Sequence, residues 1–404
     1  MKRLFIAAGL LTAWFTASAQ QGTDSSAYKK QQVSQTDIQV LFSFYTQDGN
    51  HSAVTGGTGT ENLQVFATDV SITHQRDARN TFTVGAGIDM ITSASTDNID
   101  FVRSSASRED NRFHLNGGYS RQLNKPDIRV RINSGISLES DYLSVPLGVS
   151  AEHDNADHTR QWSVGLQCYF DDLRWGRFDP DYYHPETLVY PSELRDTAWF
   201  DIYRRQSYNV NMALYQVVNQ RIQFAVFPEV VYQKGLLSTP FHRVYFTTQK
   251  SPRVENLPRE RWKFPIGLQL NLFAGRNMII RSYYRFYHDN FGITGHTFQL
   301  EVPVKADPQL TIAPLFRFYT QTGAKYFKPY KEHSLQELYY TSDYDLSRFN
   351  SYKAGITARY ALFQPMFRHY SFREIGMRYA YYKRSDRLSA HTISLFLDFK
   401  HSKA

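Results

Sequence analysis

Gly295 to Tyr319 reads GHTFQLEVPVKADPQLTIAPLFRFY, and its alternation decides the fold. Phe298, Leu300, Val302 and Val304 fall on one face, with Thr297, Gln299 and Glu301 on the other. After the polar turn KADPQ the pattern resumes, setting Leu310, Ile312, Phe316 and Phe318 against Thr311, Arg317 and Tyr319. Period-two alternation on both sides of a short polar turn predicts an antiparallel hairpin. Similar runs recur along most of the chain, near 37–45, 63–73, 81–90, 111–121, 128–138, 142–151, 160–170 and 391–400. In an exported chain of this length the pattern predicts an all-β, antiparallel transmembrane β-barrel of about sixteen strands, fourteen being the next count.

The N-terminus supports export. Lys2 and Arg3 precede a mostly apolar run from Leu4 to Phe15, and Ala17-Ser18-Ala19 supplies small residues for cleavage before Gln20. Those features predict a leader at 1–19, a polar periplasmic segment at 20–36 and a barrel at 37–404. The apolar stretch is too short to span a bilayer as an anchor. Mean hydropathy is −0.49, although the chain carries 29 Phe and 28 Tyr. A barrel reconciles these values, because half of each strand faces lipid while the other half and the loops are polar. The basic excess, a formal +8 over 404 residues, is dispersed along strands of an exported chain and argues for no nucleic-acid partner. Cys168 is the single cysteine. It has no internal disulfide partner and reads as a small apolar residue in an alternating run.

Short turns at 123–127, 218–221, 275–277 and 305–308 fall on one side by alternation, and the long connections near 46–61, 91–110, 171–206, 235–261 and 321–351 fall on the other. Such asymmetry predicts periplasmic turns and outer loops in the outer membrane of a Gram-negative bacterium. Outer-membrane lipids, lipopolysaccharide and the barrel-assembly machinery are the partners that this location implies. The last strand, His391 to Lys400, ends in apolar and aromatic residues suited to that machinery.

Parity turns Arg129, Arg131, Arg281, Arg285, Arg317, Arg359 and Arg378 inward, together with Asp89, Glu229, Glu374 and Asp398. These charges either neutralise one another across the lumen or line a basic path for anionic solutes. Tyr283, Tyr287 and Tyr319 point the same way, as a slide or as filler.

The loops offer other chemistry. Asp48, Asn50, His51 and Glu61 combine oxygen and imidazole donors with flexible glycines, which suits a divalent cation or an Asx-stabilised turn. Asp171 and Asp172 precede a loop holding Asp179, Asp181, His184 and Glu186. They would bind calcium, bridge lipopolysaccharide, or activate water beside a histidine. The arginines of the same loop make internal ion pairing the simpler account, and its aromatics predict a constriction folded over 171–206. Ser238 and His242 are too close in sequence to form a nucleophile–base pair easily, and no third member is identifiable. No cofactor motif is present.

Several loop segments carry a resemblance: QDGNHSAVTGGTGTENL (47–63), SASTDNID (93–100), QKGLLSTPFHRVYF (233–246), WKFPIGLQLN (262–271), TQTGAKYFKPY (320–330) and YTSDYDLSRFNSY (340–352). Together they resemble a domain-of-unknown-function family of Gram-negative outer-membrane proteins, from about Asp37 to Lys400. That resemblance implies a barrel and an envelope partner, periplasmic or lipoprotein, with a redox or metal link. It implies no catalytic residues. The expected function is a non-enzymatic channel or solute-binding barrel with a basic lumen. The alternatives are a sealed scaffold acting through its loops, and a barrel hydrolase with a rim carboxylate–histidine site.

Overall fold

The hairpin read from 295–319 is present in the expected register. Phe298 pairs with Phe318, Leu300 with Phe316, and Val304 with Ile312, so the apolar side chains share one face. The computed structural model describes residues 34–93, 109–123, 127–139, 142–173, 204–239, 242–367 and 369–402. The expected leader and most of the segment 20–36 lie outside the described residues, as do the loop 94–108 and the expected constriction within 171–206.

Eighteen strand segments form one antiparallel sheet. Two membrane-spanning runs are each counted twice, because proline interrupts them. Pro265 separates Glu260–Lys263 from Ile266–Ala274, and Pro303 separates Thr294–Glu301 from Val304–Lys305. Proline has no N–H to give the ladder, so the pairing lapses for a residue or two and then resumes. The result is sixteen spans. The first, Gln35–Asp48, pairs with Leu63–Gln75 on one side and with the last, Ser389–Ser402, on the other. The sheet therefore closes on itself, which leaves no unpaired edge. An even number of spans puts Gln35 and Ser402 at the same end, opposite one another in register.

The two faces follow parity throughout. On Asn80–Ser93, Phe82, Val84, Ile88 and Met90 are exposed while Asp89, between two of them, is 5% exposed. Apolar outside and polar inside is the pattern that lipid demands of a spanning barrel. Near the end where Asp48 and Asp172 emerge, Tyr208, Tyr232, Trp262 and Phe264 stack along the outer wall with centroid separations of 6.3, 4.5 and 6.4 Å. Amphipathic rings in that position match an interfacial aromatic girdle. Cys168 stands opposite Leu147 and Tyr208 and so faces lipid with them.

Tight turns close one end, at 76–79, 155–159, 220–221 and 275–277. Asp77 stabilises the first by accepting from Arg79 N and Asn80 N at 2.8 and 2.9 Å. The other end carries the long connections, of which 49–62, 236–239 with 242–259, and 322–348 are described.

Candidate functional site: a charged lumen under a loop cap

Strand register fixes what lines the interior. Arg281 opposes Glu301, Arg285 opposes Thr297, Arg317 opposes Gln299, and Arg359 opposes Gly376, all on the inward face. Several of these cations have counter-charges. Arg281 lies 3.4 Å from Glu301, Arg378 reaches the same carboxylate at 3.8 Å, Arg285 lies 3.3 Å from Glu229, and Arg359 lies 3.9 Å from Glu374. On other parts of the wall Arg112 pairs with Asp89, and His114 Nε2 lies 2.8 Å from Asp69. Paired charges tie strands together and lower the cost of confinement.

Arg317 and Lys353 break that rule. They stand opposite one another on adjacent strands, and among the described residues no carboxylate lies within ion-pair distance of either. Around Arg317 are Tyr382, Tyr319, Tyr283 and a further cation, Arg285. Like charges in directly opposed positions destabilise a sheet, so the fold tolerates this pair and does not gain from it. On this stretch of wall the described residues set six cations, Arg281, Arg285, Arg317, Lys353, Arg359 and Arg378, against four carboxylates, Glu229, Glu301, Glu374 and Asp398, the last standing opposite Glu374. Toward the tight-turn end Arg129 and Arg131 point inward and are exposed. Arg129 Nε donates to Gln122 Oε1 at 3.2 Å and stands opposite Glu152, while Arg131 stands between Ser120 and Ser150.

The outer end is different. Loop 49–62 follows the first span, and loop 236–259 joins the ninth to the tenth, half a circumference away. They touch nonetheless. Gly56 and Gly57 have φ of +82° and +87°. A Cβ at Gly56 would come 2.5 Å from the Tyr245 ring, and one at Gly57 would come 2.8 Å from the Ser342 carbonyl. Glycine is therefore required twice over, for its backbone conformation and for the close approach. His51 stacks on Tyr344 at 3.8 Å. Contact between loops from opposite sides means that chain crosses the mouth.

The crossing has a core of its own. Leu237, Leu257, Phe291, Ile293 and Ala324 form one buried cluster, and Val244, Phe246 and Tyr340 a second. Arg243–Val244 pairs with Arg253–Val254, and Asn256 bridges to Tyr340. Arg384 on the rim fastens the cap through Asp345 and is held in place by Asp386 of its own hairpin, and Gln321 Nε2 donates to Ser347 O at 2.6 Å.

Two buried histidines sit in this cap. His333 has acceptors at both ring nitrogens, Glu337 Oε2 at 2.7 Å and Thr341 O at 2.9 Å. Burial works to raise the Glu337 pKa, but the Lys328 ammonium, the Ser334 amide and His333 outweigh it, and the carboxyl is held down at about 2. His242 lies in a triangle with Glu255 and Asp343. Burial likewise opposes ionisation of Glu255, yet His242, the Thr341 hydroxyl and the Thr239 amide bring its pKa below the ordinary value.

The loop residues singled out from sequence do not converge. Asp48 and Asn50 are exposed, whereas Glu61 is buried and its carbonyl accepts from Gln47 Nε2 at 3.2 Å. His51 Nδ1 lies 3.0 Å from Gly57 O, a bond internal to the turn. Asp171 is buried against Arg205 at 2.8 Å, with no histidine paired to it among the described residues, and Asp172 stands opposite Arg204. Asp179, Asp181, His184 and Glu186 lie outside the described residues. Ser238 Oγ accepts from Leu257 N at 2.7 Å and serves as a structural anchor. Lys353 escaped the sequence reading, although its even spacing from Arg359 assigns it to the same face. The triangle of His242, Glu255 and Asp343 left no local signal, since its members come from separate parts of two loops.

The model of the family described as Protein of unknown function (DUF3570) matches residues 101–394. No curated protein matches the chain. Among solved structures it is similar to OccK1 (OpdK) of Pseudomonas aeruginosa, at 8% identity and a TM-score of 0.42, covering 92% of this chain and 99% of that one. It is similar to a BenF-like porin from Pseudomonas fluorescens Pf-5, at 8% identity and a TM-score of 0.43, over 91% and 99%. A bacterial polysaccharide outer membrane secretin gives 9% identity and a TM-score of 0.44, over 91% and 98%. Likeness at that level says nothing of what this barrel carries.

Proposed function

The chain belongs to the DUF3570 family, and we propose that this member is a non-enzymatic outer-membrane barrel that conducts or holds small anionic solutes beneath a loop cap. The observation that carries this reading is the facing pair Arg317 and Lys353, which has no carboxylate partner among the described residues. Two cations kept together on a lumen wall, at a cost to the sheet, are best explained by an anionic visitor that supplies the missing charge. Tyr283 and Tyr382 beside them offer hydroxyl donors to the same solute, whereas the Tyr319 hydroxyl already donates to Gln321 Oε1 at 2.6 Å.

Reversal potentials under a salt gradient, measured on the refolded barrel in a planar bilayer, test this. Anion preference that falls in both Arg317→Ala and Lys353→Ala is the expected result. Preference unchanged in both variants would overturn the assignment of these residues.

A second reading draws on the cap. Loops that cross the mouth and bury a core favour a sealed scaffold presenting its outer surface to an envelope partner. Absence of conductance, from wild type and from a cap-destabilised variant alike, would favour that reading over the channel. Rim hydrolysis has less support, since Asp171 is engaged by Arg205 and Ser238 by the Leu257 amide.

A further inference from the structure

We propose that His242, Glu255 and Asp343 bind one divalent transition cation of the zinc type, which locks loop 236–259 to loop 322–348 inside the cap. The three donor atoms lie within 4.8 Å of one another, and this is the group of potential ligands found among the described residues. His242 is only 4% exposed, and its Nδ1 has no hydrogen-bond partner although it points between two carboxylates. The separations are 3.6 Å to Glu255 Oε1 and 3.7 Å to Asp343 Oδ2. Those distances are too long for an N–H···O bond, which closes at about 2.7–3.2 Å. They lie within a few tenths of the donor–donor edge of a tetrahedral zinc site, about 3.4 Å for ligands about 2.1 Å from the ion.

The surroundings hold the ligands in place. Glu255 Oε2 accepts from Thr239 N at 2.7 Å, and its Oε1 accepts from the Thr341 hydroxyl at 2.5 Å while keeping a lone pair. Asp343 Oδ1 accepts from Asp345 N at 2.9 Å, which leaves Oδ2 for the centre. Outer contacts of this kind orient metal ligands. Thr239 Oγ1, on the same turn, is a further buried polar atom without a partner. Two carboxylates brought together, Glu255 buried and Asp343 partly so, need positive charge, and a dication supplies it. The imidazole selects against calcium and magnesium, which take oxygen ligands. This proposal stands apart from the solute reading, because the site is in the cap and not on the lumen wall.

The test uses the full, refolded, tag-free barrel, stripped with EDTA and titrated with Zn²⁺ alone against a chromophoric chelator. Calcium serves as the ion control. One zinc per chain is expected for wild type and for the exposed-loop variant Asp48→Asn. In His242→Gln and Asp343→Asn the affinity should fall about tenfold or more. Heat-modifiable migration on a detergent gel establishes that each variant is folded. As a second readout, zinc should slow protease cleavage within 236–259 and 322–348 in wild type and not in the two ligand variants. A folded wild type that takes up no zinc overturns the proposal, as does equal uptake by His242→Gln and Asp343→Asn.

Discussion

Phe246→Ala separates the cap from the barrel. Phe246 is 1% exposed, packs edge-on against Tyr340 at 4.9 Å, lies 5.9 Å from the His333 ring, and sits under the Arg253 guanidinium at 4.9 Å. Truncating a buried phenylalanine costs about 3–5 kcal/mol in lost transfer energy and residual cavity. The second buried cluster of the cap has only three members, Val244, Phe246 and Tyr340, so neighbours have little means to fill the space. None of the barrel's ladder pairs includes this residue, and the loss therefore falls on the cap alone. At about 1.4 kcal/mol per factor of ten, the equilibrium for cap opening should shift by roughly two to three and a half orders of magnitude. The assay has three parts: heat-modifiable migration for the barrel, limited proteolysis for the loops, and single-channel recording for the mouth. Migration should be retained, cleavage should appear within 236–259 and 322–348, and open dwell times should lengthen. A folded Phe246→Ala barrel with wild-type protease resistance would refute a cap held by its own core. Loss of the barrel together with the cap would refute their independence.

Other expectations follow from single contacts. Glu337 is held from the ordinary 4.5 down to about 2. A depressed carboxyl stabilises the fold above its unfolded value, so its contribution should be complete above pH 4.5 and vanish as pH falls toward about 2. Proteolysis of the cap by an acid-active protease should rise across that window in wild type and stay flat in Glu337→Gln. Arg205→Ala leaves the buried Asp171 without its counter-charge and should cost about 3–5 kcal/mol, most of it recovered in the Arg205→Ala, Asp171→Ala double variant. Additive losses in the urea midpoints would contradict that account. Cys168, facing lipid, should react with an apolar maleimide in bilayers and resist a charged one. Labelling by the charged reagent would reverse the inside–outside assignment of its strand.

Alternation made the barrel legible because lipid imposes the same demand on every second residue. Phe298 to Val304 and Leu310 to Phe318 carry that demand without exception on the outward face, and their register follows. Inward arginines could be read for the same reason, and Lys353 could have been read from Arg359, six residues on. The pairing of those charges was less accessible. Arg378 meets Glu301 across two intervening strands, which no local pattern encodes. Loops obey no period, so the cap was visible only as distinctive wording. Gly56-Gly57 gave a partial signal, as glycines required by left-handed backbone, but not the identity of Tyr245 and Ser342 against them. His51, Asp48 and Glu61 looked like a ligand set because they are close in sequence, whereas the set that converges is His242, Glu255 and Asp343.

If the lumen conducts as proposed, cations without counter-charge among the described residues also bear on which end of it is wet. Burying an unpaired guanidinium or ammonium in a dry interior costs several kcal/mol, so Arg317 and Lys353 require water or a solute anion. Among the described residues the outer mouth is crossed by loops with buried cores, while the far end is bounded by short turns and keeps Arg129 and Arg131 exposed on the inward face. On the proposed reading, water and any anion reach the basic wall most directly from the periplasmic side. A barrel inserted in one orientation should be blocked by an impermeant polyanion added to the periplasmic face at concentrations that have no effect from the outer face. Equal block from both faces would mean that the cap does not restrict the mouth. Block from the outer face alone would put the entrance at the opposite end from the one these charges indicate.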